Sequence, residues 1–185
     1  AGSGHGILEH FLQQVTNADP SQITCADIHV NSMLKASPLP AIELDLRGDW
    51  DGVGRFDTIL FPESFEVAFV PECSVYEVDR YFDEMERVRE AFWVGALDQL
   101  PRSDIERFMQ LVEHDLPKVE DYYRVLRRAW DHLNPGGELR KADMAYDHTI
   151  YSCLRLKEEF PGLQIIARGG RMTATVILRE QQEVG

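Results

Sequence analysis

Three glycines at alternate positions, Gly2, Gly4 and Gly6, run straight into the apolar-periodic stretch Ile7-Leu8-Glu9-His10-Phe11-Leu12. Few features limit a fold more. Glycines without Cβ atoms let the backbone turn sharply and let a ligand lie against it. A helix that starts there offers unpaired N–H groups and the positive end of its dipole to an anionic or electron-rich ligand. The spacing predicts a helix over about Gly6 to Thr16, ended by the breaker cluster Asn17-Ala18-Asp19-Pro20.

Beyond that helix, strands and helices alternate. Ile23 to Ile28 is a short apolar run closed by an acid, which reads as a buried strand. Asn31 to Ala36 reads as a short helix. Ile42 to Leu46 reads as a second strand, and Phe56 to Phe61 as a third, followed by Pro62-Glu63. Short connections between such elements imply a parallel sheet covered by helices on both faces.

From about Ser74 to Leu133 the alternation stops, and three helical patterns follow one another. Ser74-Val-Tyr-Glu77 and Ser103-Asp-Ile-Glu106 have the form of capping boxes. The apolar stripes behind them, such as Met85-Val88-Phe92 and Phe108-Met109-Val112, are expected to be mostly core. A crossover needs only about a dozen residues, so the surplus reads as an insertion that could cover a site. Asn134-Pro135-Gly136-Gly137 is expected to stop the third helix and turn the chain into a strand over Glu138 to Met144. A helix over Thr149 to Phe160, with Asp147 as its cap, comes next. Leu163 to Ala167 and Met172 to Leu178 then read as an antiparallel pair joined by Arg168-Gly169-Gly170-Arg171. The whole is expected to form one domain: a cofactor-binding half (1–73), a helical insertion (74–133) and closing strands with a helix (134–185).

Charge and cysteine content narrow the partners. A net charge of −13 argues against binding to phosphate backbones, which needs clustered Lys and Arg. DNA is therefore not an expected partner. Three cysteines without a Cys-x-x-Cys pair fit a reducing compartment, and the six histidines lack metal-binding spacing. A cytoplasmic location and no metal site are expected. No run of ~18 apolar residues stands in the chain, so no membrane span is expected.

In an open parallel sheet, ligands bind beyond the carboxyl ends of the strands. Asp27 stands there, roughly twenty residues after the glycines, as an acceptor-only group suited to a ribose hydroxyl pair. It is equally placed to cap the following helix. Asp49 and Trp50 follow the next strand: Trp50 brings a flat apolar face and Asp49 an acceptor for an exocyclic amine, while packing is the plainer role for Trp50.

The elements Gly2-Ser3-Gly4-His5-Gly6, Ala26-Asp27-Ile28, Gly48-Asp49-Trp50, Phe56-Asp57-Thr58-Ile59-Leu60 and Leu133-Asn134-Pro135-Gly136-Gly137-Glu138-Leu139 together resemble the class I S-adenosylmethionine-dependent methyltransferases. The resemblance implies a Rossmann-like, mostly parallel sheet ending in an antiparallel hairpin. It implies S-adenosylmethionine as cofactor, with Gly2, Ser3, Gly4 and Gly6 near its methionine part. Asp27 would hold the ribose hydroxyls, Ile28 would pack on adenine, and Asp49 with Trp50 would address the adenine edge. A nicotinamide fingerprint asks for a small residue where Ile7 stands.

The chain departs from the family in two places. The strand that should precede the glycines and end in an acid is absent from this sequence. A sheet without its middle strand leaves backbone groups unpaired, so upstream residues are expected to complete it. Phe61-Pro62-Glu63-Ser64 is not the Asn/Asp-Pro-Pro-aromatic motif of amino-methylating nucleic-acid enzymes, which with the acidic charge argues against a DNA or RNA base as substrate. Tyr76, Tyr81, Trp93, Tyr122, Tyr123 and Trp130 of the insertion would suit a small, partly apolar acceptor. The implied reaction is methyl transfer to an oxygen or nitrogen. Glu63 and His148 are the candidate bases, with Tyr146 as an orienting group; a place in the first turn of a helix is the plainer role for His148. Two other outcomes stay open: an inactive methyltransferase-like binding module, and a protein or RNA methyltransferase.

Overall fold

The structure is a computed structural model that describes residues 3, 6–61, 82–116, 118–143, 147–170 and 173–180. Its residues form two compact units, Ala1–Val53 and Gly54–Gly185. Both mix helix with strand. The described strands fall into two sheets, a parallel pair in the first unit and a four-stranded mixed sheet in the second.

In the first unit, helix α1 (Ile7–Thr16) starts behind Gly6 at φ 74° and ends at Asn17, also left-handed at φ 53°. Strand β1 (Cys25–Asp27), helix α2 (Ser32–Ala36) and strand β2 (Ala41–Glu43) follow. β1 and β2 run parallel, with Cys25 opposite Ala41 and Asp27 opposite Glu43. Asn31 starts α2 by accepting the Met33 and Leu34 N–H groups at 2.9 and 3.1 Å. That cap satisfies two of the orphan donors every helix start leaves. Leu34 thereby reaches Cys25 and Leu39, the buried core of this unit, with Ile23, Val30 and Ala41 packed around it.

The second unit holds β3 (Phe56–Phe61), α3 (Phe82–Trp93), α4 (Arg102–Asp115), α5 (Val119–Asp131), β4 (Leu133–Asp143), α6 (Asp147–Glu159), β5 (Leu163–Gly170) and β6 (Thr173–Glu180). The strand order is β3-β4-β6-β5. β3 and β4 are parallel, and β6 runs antiparallel to both β4 and β5. The closing hairpin expected from the glycine pair is present. Its ladder continues through Gly170 opposite Thr173, beyond the turn position that the sequence indicates.

The stripes of the 74–133 segment are core where they are described. Met85, Val88, Phe92, Phe108, Val112 and Leu126 are all buried. Apolar residues at three- and four-residue intervals fall on one face of a helix, and that face is withdrawn from water.

Three local expectations are corrected. Ser103 does not cap α4: the helix begins at Arg102 behind Pro101, which carries no side-chain cap. Proline's fixed φ already suits a helix entrance, and Glu106 is taken by the Arg102 Nε donor at 2.8 Å. Asn134-Pro135-Gly136-Gly137 does not stand between a helix and a strand, because α5 ends at Asp131 and β4 already pairs at Leu133. The motif is an irregularity within β4, where Leu133 faces Phe56 but Glu138 faces Thr58. Gly136 takes φ 76° there, and a Cβ on Gly137 would lie 2.9 Å from the Asn134 oxygen and 3.0 Å from the Asp57 oxygen. Finally, Asp147 is a residue of α6 itself, its carboxylate committed to a guanidinium.

Candidate functional site

Ser3 is the described residue that ties the glycine stretch to a strand. Its N–H donates to the Ala26 carbonyl at 3.0 Å, and its hydroxyl oxygen accepts the Ala26 N–H at 3.2 Å. Ser3 thus satisfies both polar groups of Ala26, next to Asp27 at the carboxyl end of β1. Gly6 donates its N–H to the Ser3 carbonyl at 2.8 Å, closing a turn that leads into α1. A methyl group placed on Gly6 would meet Leu34 Cγ at 3.6 Å and the Cys25 sulfur at 4.0 Å, ordinary contact distances. Glycine is needed there for its φ, not for space.

Asp27 is half-buried; its Oδ1 accepts the His29 N–H at 3.3 Å and its carbonyl accepts the Leu44 N–H at 2.8 Å. Ile28, directly after it, exposes 46% of its surface. Asp49 is exposed, whereas Trp50 is buried with its indole N–H donating to the Leu46 carbonyl at 3.2 Å. Packing is therefore the role the fold gives Trp50. Among the expected cofactor contacts, Ser3, Gly6, Asp27, Ile28, Asp49 and Trp50 are described, and Gly2 and Gly4 lie outside the described residues.

Helix α1 carries a polar group that sequence reading passed over. Glu9, in the first turn of α1, is 9% exposed, and its Oε2 is buried without a hydrogen-bond partner. Its charge bears on the Cys25 thiol: burial raises that pKa first, Glu9 adds to the rise, and a Ser3 hydrogen bond opposes it. Neighbouring His10 has Nδ1 buried without a partner, while its Nε2 is 3.5 Å from the Ser37 hydroxyl. No sequence signal marks it: the apolar stripe Ile7, Leu8, Phe11, Leu12 and Val15 leaves Glu9 on the other, polar side of α1.

In the second unit, the end of β4 and the start of α6 hold another polar group. Lys141, Asp147, His148, Thr149 and Ser152 are all buried. Arg89 of α3 donates from Nε and Nη2 to the two Asp147 oxygens at 2.7 and 2.6 Å. The Tyr122 hydroxyl is 2.9 Å from the Thr149 hydroxyl. The Tyr122 ring lies 5.9 Å from the His148 ring, and Lys141 Nζ stands 5.6 Å from the Tyr122 centroid. Burial pushes the Cys153 thiol up to about 12, with Lys141 pulling the other way. A thiol so held is inert at neutral pH.

His148 is thus a packed residue in the first turn of α6, the plainer of its two sequence roles. Glu63 and Tyr146 lie outside the described residues. Tyr122, Tyr123 and Trp130 of α5 are in the core of the second unit, and Tyr76 and Tyr81 lie outside the described residues. Lys141 shares the inward phase of β4 with Leu139. A lysine in step with buried strand residues was the readable sign of this group.

A cavity of about 210 Å³ opens at the other end of the second unit's sheet, between Arg55, Trp130, Leu133, Gly137 and Glu180. Arg55 is engaged there with the Leu133 carbonyl at 2.6 Å. This is the amino end of β3 and β4, away from the edge where open sheets bind ligands. Among the described residues no cluster of three His, Cys, Asp or Glu could hold a metal, and no helix is long and apolar enough to cross a membrane. Comparison with protein-family models and with curated proteins gives no match.

Proposed function

We propose that this chain is an S-adenosylmethionine-dependent methyltransferase of Rossmann-like architecture, acting on an oxygen or nitrogen of a small-molecule acceptor. One observation carries the reading: Ser3 of the glycine stretch is bonded on both sides of Ala26, beside Asp27 at a strand's carboxyl end. A helix start and an acid held close to one another support the reading, since a nucleoside with an amino-acid arm calls for both. Asp27 would accept from the ribose hydroxyls, and the exposed Ile28 would cover one face of the base. The parallel pair β3–β4 followed by the β5–β6 hairpin supports the same family reading.

Methyl transfer from a sulfonium is an in-line displacement, and bound S-adenosylmethionine supplies the electrophilic carbon. The protein's share is chiefly positioning and exclusion of water. A closed His148 fits that division, since the imidazole holds its place in the packing of α6 and does not stand open to solvent. Calorimetric titration of the protein with S-adenosylmethionine and S-adenosylhomocysteine tests the reading. Micromolar or tighter binding is expected, and absence of binding to both rejects it.

The alternative of a binding module without activity would draw support from apolar surface on the helices of the 74–133 segment. Among the described large apolar residues there, Val94 is strongly exposed at 75%, while the helix stripes themselves are buried. That distribution lends the binding-module alternative no support among the described residues.

A further inference from the structure

The cavity of about 210 Å³ at the amino end of β3 and β4 has walls of unlike chemistry. An irregularity in β4 builds its rim. Leu133 stands opposite Phe56, but Glu138 stands opposite Thr58, so Asn134 to Gly137 leave the ladder, and Gly136 takes φ 76° among them. Two side chains hold that rim in place. Asn134 Nδ2 donates to Asp57 Oδ1 at 2.8 Å, and Arg55 Nη1 donates to the Leu133 carbonyl at 2.6 Å. Trp130 and Leu133, both buried, supply the apolar part of the lining.

Opposite charges line this cavity without meeting. Arg55 gives one of its five N–H donors to Leu133, which fixes the guanidinium while its exposed remainder faces the cavity. Glu180, the last residue of β6, lines the same cavity, is exposed, and forms no ion pair among the described residues. Its neighbours are already committed, Asp131 to Arg127 and Glu138 to Arg140. The carboxyl end of α5, which closes at Asp131, adds a dipole end that favours a positive group. A guanidinium matches a carboxylate, a carboxylate matches an ammonium, and the apolar wall matches a hydrocarbon side chain. The volume equals that of about seven waters in the liquid, below the range of drug-sized ligands and of amino-acid size.

We infer that this cavity binds a free α-amino acid with an apolar side chain. Arg55 takes its carboxylate, Glu180 its ammonium, and Trp130 with Leu133 its side chain. The seat lies wholly in the second unit and shares no residue with the glycine stretch. It is a second site, at the sheet end opposite the one where open sheets bind their main ligand. It stands whether or not the chain transfers methyl groups.

NMR titration of the full chain, followed at the tryptophan indole N–H signals, tests this seat with three ligands. L-leucine carries both charges, isocaproate lacks the ammonium, and isoamylamine lacks the carboxylate. L-leucine is expected to shift the Trp130 signal, assigned with Trp130→Phe, with a Kd below about 1 mM. Each analogue is expected to bind at least roughly tenfold more weakly, the size of one charge-assisted hydrogen bond. Glu180→Gln is expected to weaken L-leucine by a similar factor and leave isocaproate unchanged. Arg55→Gln is expected to weaken L-leucine likewise and leave isoamylamine unchanged. No binding of L-leucine overturns the inference, as does binding that leaves the Trp130 signal in place. L-leucine that binds no more tightly than its analogues, or binds both variants as it binds the wild type, also overturns it. Equal losses of all three ligands would assign Arg55 and Glu180 to the fold and reject their roles in the seat. Thermal unfolding checks that Arg55→Gln is folded, and if it is not, Glu180→Gln and the analogues decide the matter.

Discussion

Arg89 and Asp147, 58 positions apart, meet through two parallel hydrogen bonds of 2.7 and 2.6 Å, with side-chain exposures of 11% and 3%. The pair fastens α3 to the first turn of α6. Burial works against the guanidinium charge, but the bonds and charge of Asp147, with Glu86 in support, raise the Arg89 pKa overall.

Removing one partner strands the other charge. Arg89→Met and Asp147→Asn are each expected to lower unfolding free energy by about 3 kcal/mol, while a matched apolar replacement of both costs much less. Urea denaturation of the two single variants and the double variant measures the coupling. Additive losses would show that the pair is not a unit.

Two glycines fail differently when given a methyl group. Gly6→Ala has room but must hold φ 74°, at a cost of about 1–2 kcal/mol. Gly137→Ala meets two carbonyl oxygens at about the contact limit, 2.9 and 3.0 Å, so β3 or β4 must shift. An overpacking loss of about 1–3 kcal/mol is expected. Gly6→Asn, which tolerates the left-handed region better, should recover part of the first loss. Nothing comparable should recover the second, and thermal unfolding of the variants separates the two mechanisms.

Alkaline pH should weaken the fold through Cys153. Its thiol stays protonated in the folded chain up to about pH 12, whereas an unfolded thiol titrates near 9. Between those values the unfolded chain has released a proton that the folded chain keeps, so stability falls as pH rises. The slope approaches about 1.4 kcal/mol per pH unit, and below pH 9 the contribution is fully present. Cys153→Ala should flatten that part of the stability–pH curve. A curve unchanged by the substitution would place the alkaline loss elsewhere.

On the proposed methyltransferase reading, cofactor affinity should depend on the Asp27 charge. Asp27→Ala is expected to weaken S-adenosylhomocysteine binding by roughly tenfold or more, the loss of a charged acceptor for the ribose diol. Asp27→Asn retains an oxygen for the His29 N–H and so controls for the local turn. If both variants bind as the wild type does, Asp27 is only a turn former.

Much of the element order could be read from the chain, because periodicity and breakers are local. Phe56 to Phe61 is a strand with its expected limits, and α1 ends at Asn17 where the breaker cluster begins. Capping was less legible, since Pro101 outcompetes Ser103 for the same role and Arg102 removes Glu106 from it. Partners distant in sequence were not legible at all. Nothing near Arg89 announces Asp147, and nothing near Ser3 announces Ala26. Such pairings arise only when the topology brings the segments together. The buried Lys141 was visible as a base in apolar phase, a sign that periodicity alone treats as noise, whereas the buried Glu9 stands off the apolar stripe of α1 and carried no such sign.

The two bonds between Ser3 and Ala26 have a consequence for solubility. A bare strand edge is a template for another chain, and here a serine hydroxyl stands in for the carbonyl that a neighbouring strand would offer. Ser3 therefore covers that point of β1. Loss of the two Ser3–Ala26 bonds would leave the Ala26 N–H and C=O open to another chain.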